Sequence, residues 1–445
     1  MHVEEDEMSF RMKCAGVALS LSVLVGGTHA LAQNEELFAD LEQQAQSARE
    51  LELKQPLDIK VITREEMRQE NADSLETDFP EQDTADWNQV LIFMGYIEPD
   101  QNIAEIYTGL MGEQVLGYYD PTTGQLVIVS TEGAEWGATD QSTFVHETVH
   151  ALQDQHYDLM GTRGLEEDAD LTDDFYFARL SLIEGDATMA EMIFLVENDM
   201  LDQYIEEISG TDSSAVDEAP FFLVETLYFP YSTGAEFVMN YWTEGGWAAV
   251  DEVWQNPPTT TEQIIHPEKY DAREEAIPVA INDPLGTFGD GWRVLEYNEN
   301  GELGMRVFLQ NGGASPRAAT VASEGWGGDA DYILTNGDET AMVWTSAWDT
   351  KDDAVEYFDT LIETEVGRLG ATREDVDENT VRFTAPGWVG EVHRDGDVVT
   401  YYLTQTEESM DLMVESQVDA KVPVEEDEAT PEASPAAISF WVREA

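Results

Sequence analysis

Hydrophobic positions recur at helical spacing over most of the first 280 residues of the chain. Residues 34–52 place Leu37, Leu41 and Ala45 on one face, which predicts an amphipathic helix. The same spacing predicts further helices over residues 64–72, 83–95, 175–197, 216–228 and 233–253. This part of the chain is therefore predicted to be mainly helical.

Two β-rich segments interrupt the helical pattern. Residues 57–63, with the sequence LDIKVIT, predict a short strand. Residues 113–130 contain two β-rich runs on either side of the turn PTTG, which predicts a hairpin. Its second run includes VIVS, a strand to which an extended peptide could be added by backbone hydrogen bonds.

The segment TFVHETVHALQDQH, residues 143–156, follows the hairpin and is predicted to form a helix. Phe144 and Leu152 recur on one face, which we expect to be buried. Asp140 or Ser142 is placed to cap the N-terminus of this helix.

The pattern changes beyond about residue 278. Asn-Gly or Asp-Gly pairs at 300, 336 and 395 predict turns between β-rich runs, and residues 352–370 predict one helix. We therefore predict an α+β protein with a first domain over 33–277 and a separate α+β domain over 282–417. Residues 418–445 form an acidic, proline-containing tail that we predict to be disordered.

The charge of the chain restricts its partners and its habitat. The 445 residues include 93 acidic and only 21 basic side chains, for a formal net charge of −72. Nucleic acid is excluded as a partner, because its phosphates would be repelled. The carboxylates are spread along the chain, which favours a halophilic protein whose self-repulsion is screened by salt, with a Debye length of roughly 3 Å at 1 M.

The N-terminal residues have the pattern of a secretory signal. Arg11 and Lys13 precede the apolar run AGVALSLSVLVGG, and Ala30-Leu31-Ala32 has the small residues of a cleavage site. We predict a signal peptide over residues 1–32 and a secreted, extracellular or cell-envelope protein. The apolar run is too short to span a bilayer, so we expect no stable membrane anchor after cleavage. Cleavage would also remove Cys14, the one cysteine, so a metal would have to be held by His, Asp and Glu.

The run His146-Glu147-Thr148-Val149-His150 has the spacing HExxH. On a helix, positions i and i+4 share a face, so both imidazoles can reach one zinc ion (Zn2+) while Glu147 lies beside it to act on a water molecule. The competing interpretation is a surface helix with two solvated histidines. Two histidines do not complete a zinc site, and a third protein ligand is needed.

Two residues are candidates for this third ligand. His156 has the spacing of HExxHxxGxxH, but Gln153 stands where that motif has glycine. In a continuing helix His156 would lie about 120° round the axis and about 9 Å beyond His150. Glu184, in the apolar sequence LIEGDA, is favoured instead, because coordination to a cation would offset the cost of burying its carboxylate. The neighbouring Asp186 is a weaker candidate, and His156 remains open as an alternative.

These motifs resemble those of gluzincin zinc metallopeptidases. In particular, they resemble an uncharacterised group of secreted bacterial and archaeal proteins with HExxHALQDQ and EGDA motifs. FPYSTGAEFV at 229–238 and HPEKY at 266–270 are similar to further motifs of this group. The resemblance covers roughly residues 57–277 and extends weakly to GWGGD at 325–329. It implies a zincin-like domain, with active-site and ligand helices beside a β-hairpin, that acts on a peptide or protein substrate. It also implies zinc held by His146, His150 and Glu184, with Glu147 as the catalytic base.

Two further parts of such a site are less well defined by the sequence. Tyr231 and His266 are the leading candidates for a donor to the oxyanion, and Tyr157 and Tyr270 are alternatives. Asp154, one turn after His150, is a candidate to orient a ligand. The alternative function is a secreted binding or structural module that keeps a zincin fold without catalysis.

The halophilic interpretation predicts a strong dependence of stability on salt. We expect the melting temperature to fall as the protein is transferred from molar to millimolar NaCl, because screening of the net charge of −72 is lost. Thermal unfolding followed by circular dichroism at a series of NaCl concentrations tests this. An unchanged melting temperature across the series would contradict a halophilic adaptation.

Overall fold

The computed structural model describes residues 28–70, 79–130, 135–163, 171–210, 214–418 and 420. The predicted signal peptide up to residue 27 and the predicted tail beyond residue 420 lie outside the described residues. Within this part of the chain the protein is a mixed α+β structure, as predicted. Among the described residues, no helix is both long enough and apolar enough to cross a membrane.

The N-terminal part is mainly helical. Its strands are β1 (Asp58–Ile62), β2 (Gly117–Asp120) and β3 (Gln125–Val129). Its helices before the histidine motif are α1 (Thr28–Arg49), α2 (residues 64–70), α3 (Glu81–Met94) and α4 (Ile103–Gln114). Those that follow are α5 (Ala138–Tyr157), α6 (Leu159–Arg163), α7 (Asp173–Glu197), α8 (Leu201–Ser209), α9 (Ser214–Glu218), α10 (Phe221–Gly245), α11 (Trp247–Gln255), α12 (Thr261–Ile265) and α13 (Pro267–Ala272).

The three strands form one small sheet in the order β1-β3-β2. The predicted hairpin is present, since β2 pairs antiparallel with β3, and β1 pairs with the other side of β3 in parallel. The expectation that the VIVS run could accept a peptide is wrong. Its backbone groups in β3 already bond to strands on both sides, so only β1 and β2 have an outer edge in the described sheet.

Helix α10 runs without interruption through Pro230. The sequence predicts two helices with a break near this proline, but the structure has one helix over Phe221–Gly245. Proline removes one backbone hydrogen bond. Both Phe229 and Pro230 are buried, and this packing offsets the loss. The chain instead turns at Gly246, whose φ of +66° is left-handed, before α11 begins.

Helices α7 and α10 cross in very close contact. A Cβ atom on Gly185 of α7 would lie 2.3 Å from the backbone carbonyl of Gly234 in α10. A Cβ on Gly234 would lie 2.3 Å from the carbonyl oxygen of Ser181. Real side chains do not tolerate such distances, so glycine is required on both helices at the crossing.

The C-terminal part is built on a seven-stranded antiparallel sheet in the order β4-β5-β6-β10-β9-β8-β7. Its strands are β4 (Arg293–Asn298), β5 (Trp326–Thr335), β6 (Thr340–Trp348), β7 (Thr372–Asp375), β8 (Thr380–Ala385), β9 (Trp388–Asp395) and β10 (Val398–Thr404). Its helices are α14 (Leu285–Phe288), α15 (Gly301–Asn311), α16 (Pro316–Ser323), α17 (Lys351–Leu369) and α18 (Glu407–Ser416). One face packs against α15, α16 and α17, and the other against α14 and α18.

Two of the three predicted glycine turns join strands of this sheet. The pairs at 336 and 395 connect β5 to β6 and β9 to β10, with positive φ at Gly337 and Gly396. The pair at 300 does not form a hairpin. Gly301 has φ of +69° and begins α15 instead.

The helical part and the sheet share side chains across their boundary. Helix α3 belongs to the predicted first domain, yet Val90, Phe93 and Met94 pack into the core of the sheet. Helix α15 contributes Leu303 and Val307 to the helical core and other residues to the sheet core. The two parts are therefore packed through a continuous apolar boundary.

The close helix crossing predicts a large effect of a single methyl group. We expect Gly234→Ala to lower the free energy of unfolding by about 2–3 kcal/mol, because α7 and α10 must separate to admit the Cβ atom. Gly367→Ala in α17 is the matched control, since its Cβ would meet nothing within 4 Å. It should be neutral or stabilise by up to about 1 kcal/mol. Denaturant unfolding in molar salt measures both variants, and equal stabilities would contradict the crossing geometry.

Candidate metal centre

Helix α5 carries the histidine motif and spans Ala138–Tyr157. Phe144 and Leu152 are fully buried, as the periodicity predicts. The N-cap is Gly137, and Asp140 accepts a hydrogen bond from its backbone N–H at 3.0 Å. Ser142 does not cap the helix; its hydroxyl donates to the carbonyl of Thr139.

A side chain from another helix accepts hydrogen bonds from the first backbone N–H groups of α5. Glu207 of α8 accepts hydrogen bonds from the backbone N–H groups of Ala138 at 3.3 Å and Thr139 at 2.8 Å. A carboxylate at a helix N-terminus is favoured by both hydrogen bonding and the helix dipole. The start of α5 is therefore set by a residue 60 or more positions away in sequence.

His146, His150 and Glu184 converge on one point. The Nε2 atoms of His146 and His150 lie 3.2 Å and 3.3 Å from the same Oε2 atom of Glu184. The three ligand atoms lie within 4.8 Å of one another, and all three residues are buried. The one-turn spacing of the histidines and the packing of α7 against α5 bring these groups together.

The other nitrogen of each imidazole has its own partner. His146 Nδ1 lies 3.2 Å from Glu191 Oε2, and His150 Nδ1 lies 2.9 Å from Gln153 Oε1. The amide of Gln153 is fixed in orientation because its Nε2 donates to the carbonyl of Ile183. Its oxygen can only accept, so His150 donates to it from Nδ1, and the Nε2 atom of His150 faces Glu184.

Glu191 and Gln153 are the two supporting residues that the sequence argument misses. Glu191 lies seven positions after Glu184, which places it on the same face of α7 two turns later. That spacing is the signal that could have identified it. Asp154, the predicted orienting residue, instead accepts a hydrogen bond from the Tyr119 hydroxyl at 2.9 Å.

His156 does not reach this cluster. Helix α5 continues to Tyr157, and His156 Nε2 lies 2.8 Å from the carbonyl oxygen of Glu52. Gln153 does not end the helix, and its buried side chain supports His150 instead. In the structure, Glu184 is therefore the third group beside the histidine pair.

The cluster shifts the proton affinities of its members. Burial raises the pKa of Glu184, but the charges and hydrogen bonds of His150 and His146 outweigh burial and hold it well below its usual range. Burial lowers the pKa of His146, and its hydrogen bonds with Glu184 and Glu191 raise it to a net value well above the usual one. Burial raises the pKa of Glu147. Its carboxylate is therefore a stronger base than an exposed glutamate.

Tyr231 of α10 lies at the open side of the cluster. Its ring centroid is 6.1 Å from that of His146, with 25° between the ring planes. Burial, the charges of Glu184 and Glu147 and a hydrogen bond to Glu184 raise the pKa of Tyr231 well above its usual value. The residue is nevertheless 45% exposed, so the cluster is accessible to solvent beside this ring.

The other candidate donors lie elsewhere. His266 Nε2 is 3.1 Å from Glu302 Oε2. His266 follows α12. Thr261 of that helix donates a hydrogen bond to Asp174 of α7. Asp174 lies ten positions before Glu184, which is about 15 Å along the helix axis. The structure therefore does not place His266 at the cluster, contrary to the prediction. Tyr157 donates to Asp251, and Tyr270 donates to the carbonyl of Asn256.

A second group of carboxylates in the described residues comprises Glu262, Glu274 and Asp349. The ammonium group of Lys269 lies among them, 2.6, 2.8 and 2.5 Å from their oxygens. This lysine supplies the positive charge that a cation would provide. HPEKY thus forms an ion-pair network between α13 and the end of β6.

Asp186 anchors the turn of α7 that carries Glu184. Its carboxylate lies 2.6 Å from Arg49 Nε and accepts a hydrogen bond from the indole of Trp254 at 2.6 Å. Arg49, the last residue of α1, is fully buried and also lies over the Trp247 ring. The EGDA sequence therefore combines a cluster carboxylate, a glycine at the helix crossing, and an aspartate that binds the first helix.

In comparisons with known proteins, a family model matches only part of the chain. A family model described as a domain of unknown function (DUF8575) matches residues 292–413, which lie in the C-terminal part. No curated protein matches the chain. The solved structure of "a putative hydrolase with a novel fold" from Chloroflexus aurantiacus aligns with 17% identity over 60% of this chain and 96% of that chain. Its TM-score of 0.36 is too low to support an argument about fold or activity.

The contact between His146 and Glu191 predicts an indirect effect on metal binding. We expect Glu191→Ala to weaken zinc binding about 10- to 100-fold, because the ring of His146 loses the partner that orients it. Glu197→Ala, an exposed position on the same helix, is the control and should leave the affinity unchanged. Competition with a chromophoric chelator measures both affinities. Equal affinities of the two variants would show that Glu191 does not position the ligand.

Proposed function

We propose that this protein is a zinc-dependent peptidase whose metal ligands are His146, His150 and Glu184. The observation that carries the proposal is the convergence of two imidazole nitrogens and one carboxylate oxygen within 4.8 Å, with Glu147 adjacent in the same buried helix face. The resemblance of the sequence motifs to gluzincin metallopeptidases supports the same assignment. A zincin-like fold for the N-terminal part belongs to this proposal.

The donor set suits zinc better than the hard cations. Zinc accepts imidazole nitrogen and carboxylate oxygen together, whereas calcium and magnesium favour oxygen ligands in larger number. Three protein ligands also leave a coordination position for water, which is the arrangement of catalytic rather than structural zinc sites. The outer partners Glu191 and Gln153 hold the Nδ1 side of each ring, and this leaves both Nε2 atoms directed to the same point.

Glu147 is placed to move protons. When bound, zinc would lower the pKa of a water molecule and polarise a peptide carbonyl. Glu147 would accept the proton of that water as it attacks the carbonyl carbon, and then deliver the proton to the leaving nitrogen. Burial raises the pKa of Glu147, which favours the uptake of this proton.

Tyr231 would act on the oxygen of the scissile carbonyl. Its hydroxyl is a hydrogen-bond donor next to Glu184, on the exposed side of the cluster where a substrate can enter. Donation to the developing oxyanion stabilises the transition state. His266 has no part in this mechanism, because its imidazole is bound to Glu302.

A non-catalytic module with the same metal ligands is the less favoured function. A structural zinc site has no use for a further acidic side chain, and burying the carboxylate of Glu147 carries a desolvation cost. A catalytic role would account for a buried carboxylate at this position.

The signal-like N-terminus and the net charge of −72 support export into a saline environment as part of the proposal.

Metal analysis of variants alongside casein hydrolysis tests this function. We expect one zinc ion per wild-type chain, purified in molar salt, and cleavage of casein. Glu184→Ala should lose the zinc, because one of three protein ligands is removed. Glu147→Gln should keep the zinc and lose at least about 10²-fold in rate, because the base is removed and the ligands are not.

His156→Ala is the matched control, since its imidazole lies at Glu52 and not at the cluster. It should keep both zinc and activity. Loss of zinc in this variant with retention in Glu184→Ala would reverse the ligand assignment. Absence of zinc from the wild-type chain would contradict the proposed function as a whole.

A further inference from the structure

An apolar stripe on α10 passes directly beside Tyr231. At 100° per residue, the positions that lie within an arc of about 80° from Tyr231 all carry apolar or tyrosine side chains. The large exposed members are Phe221, Tyr228, Tyr231 and Met239, which are 40%, 53%, 45% and 48% exposed. We call this set the α10 stripe.

Packing among the residues that the structure describes does not account for the exposed side chains of the stripe. The face of α10 that contacts α7 contains Gly234, which lies about 60° from Tyr231 on the side away from the stripe. In a chain with 93 acidic residues, four large apolar or aromatic side chains exposed along one face of a helix depart from the general surface. Exposed apolar patches of this kind mark binding surfaces.

The stripe has the dimensions of a bound peptide. Phe221 lies about 15 Å from Tyr231 along the helix axis, and Met239 lies about 12 Å away in the opposite direction, at 1.5 Å per residue. An extended peptide advances about 3.3 Å per residue. The stripe therefore reaches about four residues to either side of a bond placed at Tyr231.

The acidic side chains beside the α10 stripe restrict which ligands could bind to it. Glu236 lies at about 140° from Tyr231 and so borders the stripe on one side, whereas Glu225, at about 120°, is paired with Arg306. Acidic side chains of a ligand would be repelled there, whereas apolar and aromatic ones would be removed from water. Continuity with the candidate metal centre comes from Tyr231, which belongs to the stripe and whose ring centroid lies 6.1 Å from that of His146.

We propose that the α10 stripe binds the extended substrate chain on both sides of the scissile bond, and that it selects polypeptides with apolar or aromatic residues there over acidic ones. This inference rests on the proposed function, since it assigns the substrate class of that same site. The stripe predicts a dependence on peptide length as well as on composition. A chain of eight to ten residues would occupy its full extent, and a tetrapeptide would not.

Three fluorogenic peptides test the assignment with the full chain in molar salt: an apolar decapeptide, the same decapeptide with aspartate at the flanking positions, and the tetrapeptide at its centre. We expect wild type to show at least about a tenfold higher kcat/KM for the apolar decapeptide than for either of the others. Tyr228→Ser and Met239→Ser should each reduce that preference about fivefold. Val376→Ser and Val321→Ser, exposed valines of the C-terminal part that are 55% and 41% exposed, are the matched controls and should retain it.

Binding of the apolar decapeptide to Glu147→Gln, measured by fluorescence anisotropy, separates this inference from the proposed function. If wild type hydrolyses none of the three peptides but Glu147→Gln binds the decapeptide, and Tyr228→Ser in that background weakens the binding, the stripe would be supported and the peptidase contradicted. Hydrolysis of all three peptides at equal kcat/KM would overturn the stripe and leave the peptidase. Loss of a dimer in Tyr228→Ser, with the wild-type peptide preference intact, would overturn it in favour of a second copy of this chain as the occupant.

Discussion

The close crossing of α7 and α10 is the constraint on which the candidate centre depends. Gly185 and Gly234 allow the two backbones to approach to a distance that no other residue would permit. Glu184 precedes one of these glycines and Tyr231 lies one turn before the other, so the crossing places the carboxylate and the phenol side by side. The same helix α7 packs against α5 and presents Glu184 to both histidines. A small displacement at the glycines would alter the contacts of Glu184 with His146, His150 and Tyr231 together.

Buried polar contacts fix this arrangement to the rest of the chain. Arg49 and Asp186 are both fully buried, and removal of Arg49 would leave the buried carboxylate of Asp186 without its charge partner. The first helix is thereby held to the turn of α7 that carries Glu184. Across the boundary with the sheet, Asp329 accepts hydrogen bonds from the indoles of Trp326 and Trp344 and from the backbone of Gly301. The GWGGD sequence is thus explained by contacts within the protein.

The candidate centre also shows how the roles of its residues are divided. His146 and His150 each use one nitrogen towards Glu184 and the other towards a supporting side chain, so that neither ring is free to rotate. Glu147 is buried on the same helix, where the charges of His150 and His146 act on its carboxylate. Tyr231 lies at the exposed side, where it joins the buried centre to the apolar stripe on α10. The cluster is therefore held by side-chain contacts on its buried side and lies beside an exposed tyrosine on the other.

Local sequence determined the elements that depend on short-range spacing. The i, i+4 spacing of His146 and His150 on an apolar periodicity fixed a helix with both rings on one face, and the burial expected for LIEGDA singled out Glu184. Long-range contacts decided the rest. Glu207 caps α5 from a distant helix, Glu191 of α7 lies beside Nδ1 of His146, and Tyr231 rather than His266 lies beside the cluster. Periodicity specifies which face of an element is buried, but the partner that face meets is set by packing of elements far apart in the chain. For the same reason α10 continues through Pro230, and β3 is the central strand of its sheet.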